Sequence, residues 1–113
     1  MVRSGLAAAL AGVFLGVIGL PAFADDPSAA RRAELIHRLK HDCGSCHGMT
    51  MKGGLGPPLL PAALADKPNA ALAEVIRDGL PGTPMPPWGF EITREEAIWI
   101  VRRLKEGLNG SPR

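Results

Sequence analysis

The chain has 113 residues, which is the size of one small domain. Its 13 basic and 11 acidic residues nearly balance, so the formal charge is only +2, and nothing points to nucleic acid or an anionic membrane as a partner. The chain contains 14 glycines and 11 prolines, which predicts a loop-rich domain. Such a small domain needs a stabilising element besides its hydrophobic core, either a disulfide or a buried cofactor.

The N-terminal segment has the pattern of a secretory signal peptide. Arg3 is its only charge, residues 6–20 form an uncharged apolar run, and A-F-A at 22–24 is a small-x-small cleavage site. The apolar run is shorter than the roughly 20 residues of a membrane span, which disfavours an uncleaved anchor. We therefore predict that residues 1–24 are removed and that residues 25–113 remain as one exported domain without a membrane anchor.

Two helices are predicted in the first two thirds of the exported domain, and no strand is predicted anywhere. The first covers about 28–42, with Asp26 as its cap and Pro27 just inside its start. Its apolar residues recur at helical spacing and lead directly into a cysteine. The second helix covers about 69–78 and ends at Gly79.

The third predicted helix has the strongest pattern. Thr93 and Glu96 form a capping box at its start. Its apolar stripe consists of Ala97, Ile100, Val101, Leu104 and Leu108. Ile98 and Trp99 widen this stripe, so the helix is predicted to bury more than one side.

Two loops rich in glycine and proline connect the helices, over residues 48–65 and 80–90. The second contains four prolines, which lack N–H donors and fix φ, so it cannot be helical. Each proline also restricts the residue before it. The loop is therefore predicted to be rigid, as suits a segment that presents one side chain at a fixed place.

Cys43, Cys46 and His47 form C-x-x-C-H, the pattern of covalent haem c attachment. Each thiol would add to one vinyl group of the haem, and two intervening residues let one helical turn present both sulfurs along one porphyrin edge. Gly44 and Ser45 are small enough for the backbone to lie close to the ring. The motif predicts one covalent haem c, with His47 as the proximal iron ligand.

Other uses of C-x-x-C fit this sequence less well. A thioredoxin-like pair belongs in a βαβ context, and no strand is predicted. A zinc site needs more ligands, and beyond the motif only His37 and His41 remain. A disulfide between the two cysteines would be strained and would stabilise little. Thiol–disulfide exchange stays as the alternative from a different functional class.

Met85 is the predicted second iron ligand. Met49 and Met51 follow the motif too closely to circle the porphyrin edge, whereas Met85 lies far downstream in the proline-rich loop. The alternatives are that Met85 fills a gap in the core, or that an upstream histidine is the ligand. Thioether ligation raises the reduction potential relative to two histidines and closes the iron to substrates, which predicts electron transfer and no catalysis.

The surroundings of His47 are also predicted. A ring that binds iron through Nε2 leaves its other N–H to find an acceptor, and a backbone carbonyl within 56–58 is the natural candidate. Several apolar side chains are expected either to line the haem pocket or to pack in the hydrophobic core: Leu59, Leu60, Leu64, Leu72, Ile76, Trp88 and Trp99.

This order of motifs resembles the class I cytochromes c. The resemblance rests on the helix entering C-x-x-C-H, G-P-x-L at 56–59, a helix ending in glycine, Met-Pro at 85–86 and an aromatic last helix bearing Trp99. It implies an all-α domain of three main helices around one haem, in which the first and last helices cross. It further implies ligation by His47 and Met85, and a hydrogen bond from His47 to the Pro57 carbonyl. Tryptophan at 99, where tyrosine is commoner, departs from the pattern.

The flanking residues are similar to those of the small cytochromes called NirC, which are encoded with haem d1 nitrite reductase in denitrifying bacteria. The similar segments are H-D-C-G-S-C-H-G at 41–48, G-G-L-G-P-P-L at 53–59 and T-P-M-P-P-W at 83–88. The resemblance implies a periplasmic carrier that exchanges electrons with nitrite reductase or with the late enzymes of haem d1 synthesis. The alternative is an assembly factor that binds a haem d1 maturation protein and takes electrons from a precursor.

Overall fold

The computed structural model describes residues 26–108 and, in the leader, Gly5, Ala9, 11–16 and 18–19. Its helical elements are α1 (Ala29–Arg38), a π-helical segment (Leu39–Cys43), α2 (Gly44–His47), α3 (Pro61–Leu64), α4 (Asn69–Asp78) and α5 (Arg94–Glu106). No strand occurs in this part of the chain, so the all-α prediction is confirmed. The predicted cleavage site at 22–24 lies outside the described residues, and the division into 1–24 and 25–113 stays a prediction. None of the helices described is both long and apolar enough to span a bilayer.

The start of α1 is set by Ser28 and not by the residue predicted. The Ser28 side chain accepts a hydrogen bond from the backbone N–H of Arg31 at 3.2 Å, which satisfies one of the unpaired donors of the first turn. The prediction that Asp26 caps this helix was therefore wrong. Asp26 forms an ion pair with Arg102 of α5 instead.

Between α1 and the cysteine motif, the helix widens into the π-helical segment Leu39–Cys43. A π-turn accommodates one extra residue, which changes the direction of the side chains that follow, and such turns often lie at functional sites. Leu39 is buried in the core, and Cys43 at the end of the segment packs against that core. The sequence predicted a regular helix here, because no residue type distinguishes a π-turn from an α-turn.

The loop predicted over 48–65 contains the short helix α3. Leu60 is extended and Pro61 occupies the first turn, where a missing N–H costs nothing. Leu64 at the end of α3 is buried, which anchors the loop to the core. The second predicted helix agrees with α4 at both ends, and Gly79 ends it with φ of 70°.

The predicted capping box of α5 is confirmed. Thr93 Oγ1 accepts from the backbone N–H of Glu96 at 3.2 Å, and Glu96 Oε2 accepts from the backbone N–H of Thr93 at 3.0 Å. More than one side of α5 is buried, as predicted: the buried residues are Ala97, Trp99, Ile100, Val101, Arg103 and Leu104. The helix ends at Glu106, so Leu108 of the predicted stripe lies beyond it.

The first and last long helices share the core and are joined by an ion pair. Leu35 and Leu39 belong to the same buried cluster as Ile100 of α5. At the edge of this cluster the Arg31 guanidinium donates to both oxygens of the Glu96 carboxylate. Arg31 Nε lies 2.6 Å from Oε1, and Nη2 lies 3.0 Å from Oε2. The hydrogen bonds from Arg31 hold the pKa of Glu96 below its ordinary value.

This lowered pKa predicts a pH-dependent contribution to stability. Because the folded-state pKa of Glu96 is below its unfolded value of about 4.3, the pair stabilises the fold above that pH and the contribution disappears as the pH falls through the folded pKa. Glu96→Gln keeps a side chain able to accept the capping hydrogen bond but removes the charge. We expect it to lower the free energy of unfolding by about 1 kcal/mol at pH 7, with the difference shrinking as the pH falls below about 4.3 and the Glu96 carboxylate of the wild type becomes protonated.

Urea unfolding of the haem-loaded protein at several pH values measures this difference. Glu74→Gln is the matched control, because its ion pair with Arg94 is more exposed and is expected to contribute less. Equal pH dependence in the wild type and in Glu96→Gln would show that the α1–α5 ion pair does not act in this way.

Candidate functional site

The cysteine motif spans the junction between the π-helical segment and α2. Cys43, Cys46 and His47 are all half-buried, and the two cysteines are not joined in a disulfide. Burial, with a smaller contribution from the charge of Asp42, raises the pKa of Cys43 to about 11. This thiol is therefore protonated at neutral pH, whereas disulfide exchange needs a thiolate.

The His47 ring is oriented by a backbone carbonyl in the following loop. His47 Nδ1 lies 2.8 Å from the carbonyl oxygen of Pro57. A carbonyl only accepts hydrogen bonds, so Nδ1 is the donor. In the neutral tautomer with this proton the lone pair is on Nε2, where a metal can bind. This arrangement is the one typically found around a metal-binding imidazole.

The glycines of this loop allow its backbone to pack against the motif. The backbone N–H of Gly53 donates to the His47 carbonyl, and that of Gly56 donates to the Cys46 carbonyl, both at 2.8 Å. A Cβ at Gly56 would lie 2.7 Å from both Nδ1 and Cε1 of His47. Gly56 was predicted only as part of a loop motif. The Gly-Gly-x-Gly-Pro run is the sequence signal that it positions the imidazole.

Met85 lies in a loop that folds back on itself. The backbone N–H of Leu80 donates to the Met85 carbonyl at 3.2 Å. Thr83 Oγ1 donates to the Leu80 carbonyl at 2.7 Å and accepts from the backbone N–H of Met85 at 3.3 Å. The backbone of Met85 is thus fixed on both sides, while its side chain is half-buried.

The same loop completes the C-terminus of α4. The backbone N–H groups of Trp88 and Gly89 donate at 3.0 Å to the carbonyls of Ile76 and Arg77, which belong to the last turn of the helix. Gly79 is buried against the loop, and a Cβ on it would lie 2.7 Å from the Met85 carbonyl oxygen. The four-proline loop is therefore anchored to α4 at both of its ends.

The predicted site residues fall into two groups. His47 is joined to Pro57, and Met85 is held by the end of α4. Within the described residues no hydrogen bond links Met85 to the cysteine motif. The chemistry of the two groups fits a covalent haem. Two cysteines that are not joined in a disulfide lie beside an imidazole whose Nδ1 faces a carbonyl, and the backbone is glycine where a side chain would collide with that ring.

The apolar residues expected near the haem differ in their burial. Leu64 and Trp99 are in the core, and Leu60 is 38% exposed. The partly buried residues that pack against the core are Leu59, Leu72, Ile76 and Trp88. Met51 is buried with φ of 61°, which is unusual for a residue with a side chain and was not predicted.

Comparison with known proteins agrees with this geometry. The family model described as subunit III of the cbb3-type cytochrome c oxidase matches residues 29–102. Cytochrome c55X of Pseudomonas aeruginosa is 51% identical over 89 residues, covering 78% of this chain and 75% of that protein. A solved structure of the c-type cytochrome NirC is 50% identical with a TM-score of 0.69, covering 71% of this chain and 94% of that chain.

The chain belongs to the cytochrome c family, among the c-type cytochromes named c55X and NirC. This confirms the class I cytochrome c fold and the resemblance to NirC. A cytochrome of this family binds haem covalently. A further match is to part of a larger protein, the dihydro-haem d1 dehydrogenase NirN solved in complex with DHE. That match is 31% identical with a TM-score of 0.59, and covers 68% of this chain but 16% of that one.

Proposed function

We propose that this cytochrome is a periplasmic one-electron carrier and not an enzyme, with a single haem c joined to Cys43 and Cys46 and ligated by His47 and Met85. The observation that carries the proposal is the His47–Pro57 hydrogen bond of 2.8 Å, which leaves Nε2 free to bind iron. The haem, when bound, supplies the one-electron couple between ferric and ferrous iron.

Residues of the chain would set the reduction potential of that couple and hold its ligands in place. The Pro57 carbonyl, by accepting from Nδ1, makes the His47 imidazole a stronger electron donor. The Met85 thioether favours the reduced iron. The loop around Met85 is anchored to α4 by backbone hydrogen bonds, which supports a ligand geometry that stays the same in both oxidation states.

Periplasmic location is supported by the signal-peptide pattern of residues 1–24. Arg3, the apolar run at 6–20 and A-F-A at 22–24 occur in the order that a signal peptidase requires. Removal of this leader would give the exported domain 25–113.

Covalent haem is the first property to test. Denaturation of the matured protein followed by a pyridine haemochrome spectrum is expected to show one haem retained per chain. Replacing Cys43 and Cys46 by alanine should abolish that retention. Free thiols without haem in the matured wild type would instead support thiol–disulfide exchange.

Met85→Ala tests the second iron ligand. Loss of the thioether is expected to lower the reduction potential and to remove the weak methionine-to-iron absorption at the red end of the oxidised spectrum. Redox titration and absorption spectroscopy measure both. Met49→Ala is the matched control, because Met49 is 59% exposed. This variant is expected to leave the reduction potential and the absorption band unchanged. A Met85→Ala protein with the wild-type spectrum would remove Met85 as the ligand.

The partner is proposed to belong to haem d1 metabolism, and the carrier to exchange electrons with nitrite reductase or with a haem d1 maturation protein. The support is similarity to a cytochrome named NirC and to part of a dihydro-haem d1 dehydrogenase. The second match also favours the alternative of an assembly factor, because a dehydrogenase releases electrons that a carrier must accept.

Stopped-flow mixing separates the two roles. Rapid oxidation of the ferrous cytochrome by nitrite reductase would establish a donor to that enzyme. Rapid reduction of the ferric cytochrome by the dehydrogenase with its substrate would establish the assembly role. Slow transfer with both partners would contradict the link to haem d1.

A further inference from the structure

Two histidines outside the haem motif lie side by side on the helix that leads into it. His37 is in the last turn of α1 and His41 is in the π-helical segment. Their ring centroids are 4.3 Å apart and their planes are tilted by 41°. Both residues are exposed, so neither ring is explained by packing in the core.

We propose that His37 and His41 bind a divalent transition-metal ion, with Cu²⁺ preferred, at a site separate from the haem iron. An imidazole nitrogen binds such an ion at about 2.0 Å, which places the ring centre roughly 3.2 Å from it. When two imidazoles occupy neighbouring coordination positions, the nitrogen–metal–nitrogen angle is about 90°. The two ring centres are then roughly 4.5 Å apart. The separation in the structure is within a few tenths of an ångström of this value.

The spacing of the two residues supports the same conclusion. Histidines at i and i+4 of an α-helix lie on one face, and this spacing holds zinc in helical metal sites. The two rings here remain adjacent although His41 lies in the π-helical segment. The segment here reads H-R-L-K-H and has no glutamate between the histidines. The proposed site therefore binds a metal without the general base that would make it hydrolytic.

Two cationic side chains lie between the histidines in sequence, Arg38 and Lys40. The Arg38 guanidinium is paired with Glu91 and with Glu34, and Lys40 is exposed to solvent, which screens its charge. No group of three or more metal-binding side chains occurs among the described residues, so the pair supplies two protein ligands and water completes the shell. Copper is preferred because it binds nitrogen ligands most tightly of the first-row divalent ions.

Calorimetric titration of the oxidised, haem-loaded protein with Cu²⁺ tests the site. His47 is one of only three histidines and is assigned to the iron, so His37 and His41 are the imidazoles left to bind copper. We expect one Cu²⁺ per chain with micromolar affinity, and hyperfine coupling to nitrogen in the copper electron paramagnetic resonance spectrum. His37→Gln and His41→Gln are each expected to weaken binding at least tenfold.

Lys40→Gln is the matched control, because it alters an exposed neighbour that is not a ligand. It should change the affinity less than twofold. The haem spectrum should be the same in all variants, which shows that they fold and keeps this test separate from that of the proposed function. Absence of Cu²⁺ binding, or full binding in the double variant His37→Gln/His41→Gln, overturns the proposal.

Discussion

Gly79→Ala is expected to displace Met85, although residue 79 carries no side chain and lies six positions upstream. Gly79 has φ of 70°, and an added Cβ would lie 2.7 Å from the Met85 carbonyl oxygen and 2.9 Å from Pro86 C. These are backbone atoms in a segment stiffened by proline, so they cannot rotate away as a flexible side chain does. We expect a lower reduction potential, a weaker methionine-to-iron absorption, and a stability loss of about 2 kcal/mol or more.

Gly82→Ala is the control that isolates this collision. Gly82 has φ of 81° in the same loop, but a Cβ there would have no atom within 4 Å. It carries the backbone strain of the left-handed region without the contact to the Met85 segment. Its spectrum and potential should remain close to wild type. If the two variants change the potential equally, the contact between Gly79 and the Met85 carbonyl is not what holds the ligand.

Gly79 also shows how far sequence reasoning reaches in this protein. Its position after the periodic residues of α4 predicted the helix end correctly, because that signal is local. The second constraint, close approach of the Met85 backbone, comes from a segment that returns from a turn. Local sequence patterns carry no information about contacts with a distant segment. The sequence therefore predicted the role of Gly79 as a helix end but not its contact with the Met85 backbone.

The other differences between sequence and structure have the same origin. Asp26 and Ser28 are both good caps by residue type. In the structure Ser28 caps α1, and Asp26 pairs with Arg102, a contact between residues far apart in sequence. The helix α3 forms where Leu64 can be buried, within a stretch that composition marks as loop. In contrast, the C-x-x-C-H motif and the capping box at Thr93 were found because all their residues are close in sequence.

Gly56→Ala is expected to disturb the opposite side of the proposed haem site. Gly56 does not need a left-handed backbone, so alanine should fit the main chain without strain. The added methyl would instead lie 2.7 Å from Nδ1 and Cε1 of His47. The ring must tilt, and its hydrogen bond to the Pro57 carbonyl is lost or lengthened, at a cost of about 1–3 kcal/mol.

The direction of the potential change distinguishes this variant from Gly79→Ala. A His47 ring that no longer donates to Pro57 is a weaker electron donor to iron, which stabilises the ferric state less and raises the reduction potential. Loss of the Met85 thioether acts in the other direction, because it removes a ligand that favours the reduced iron. Proton NMR of the His47 Nδ1–H, with redox titration, measures both effects of Gly56→Ala.

Gly82→Ala is the control for this variant too. A Cβ at Gly82 would have no atom within 4 Å, and residue 82 lies outside the cysteine motif. This variant should keep the wild-type potential and His47 proton signal. If Gly56→Ala lowers the potential as Gly79→Ala does, the Pro57 hydrogen bond does not tune the iron. If Gly56→Ala leaves the His47 proton unchanged, the glycine does not position the ring.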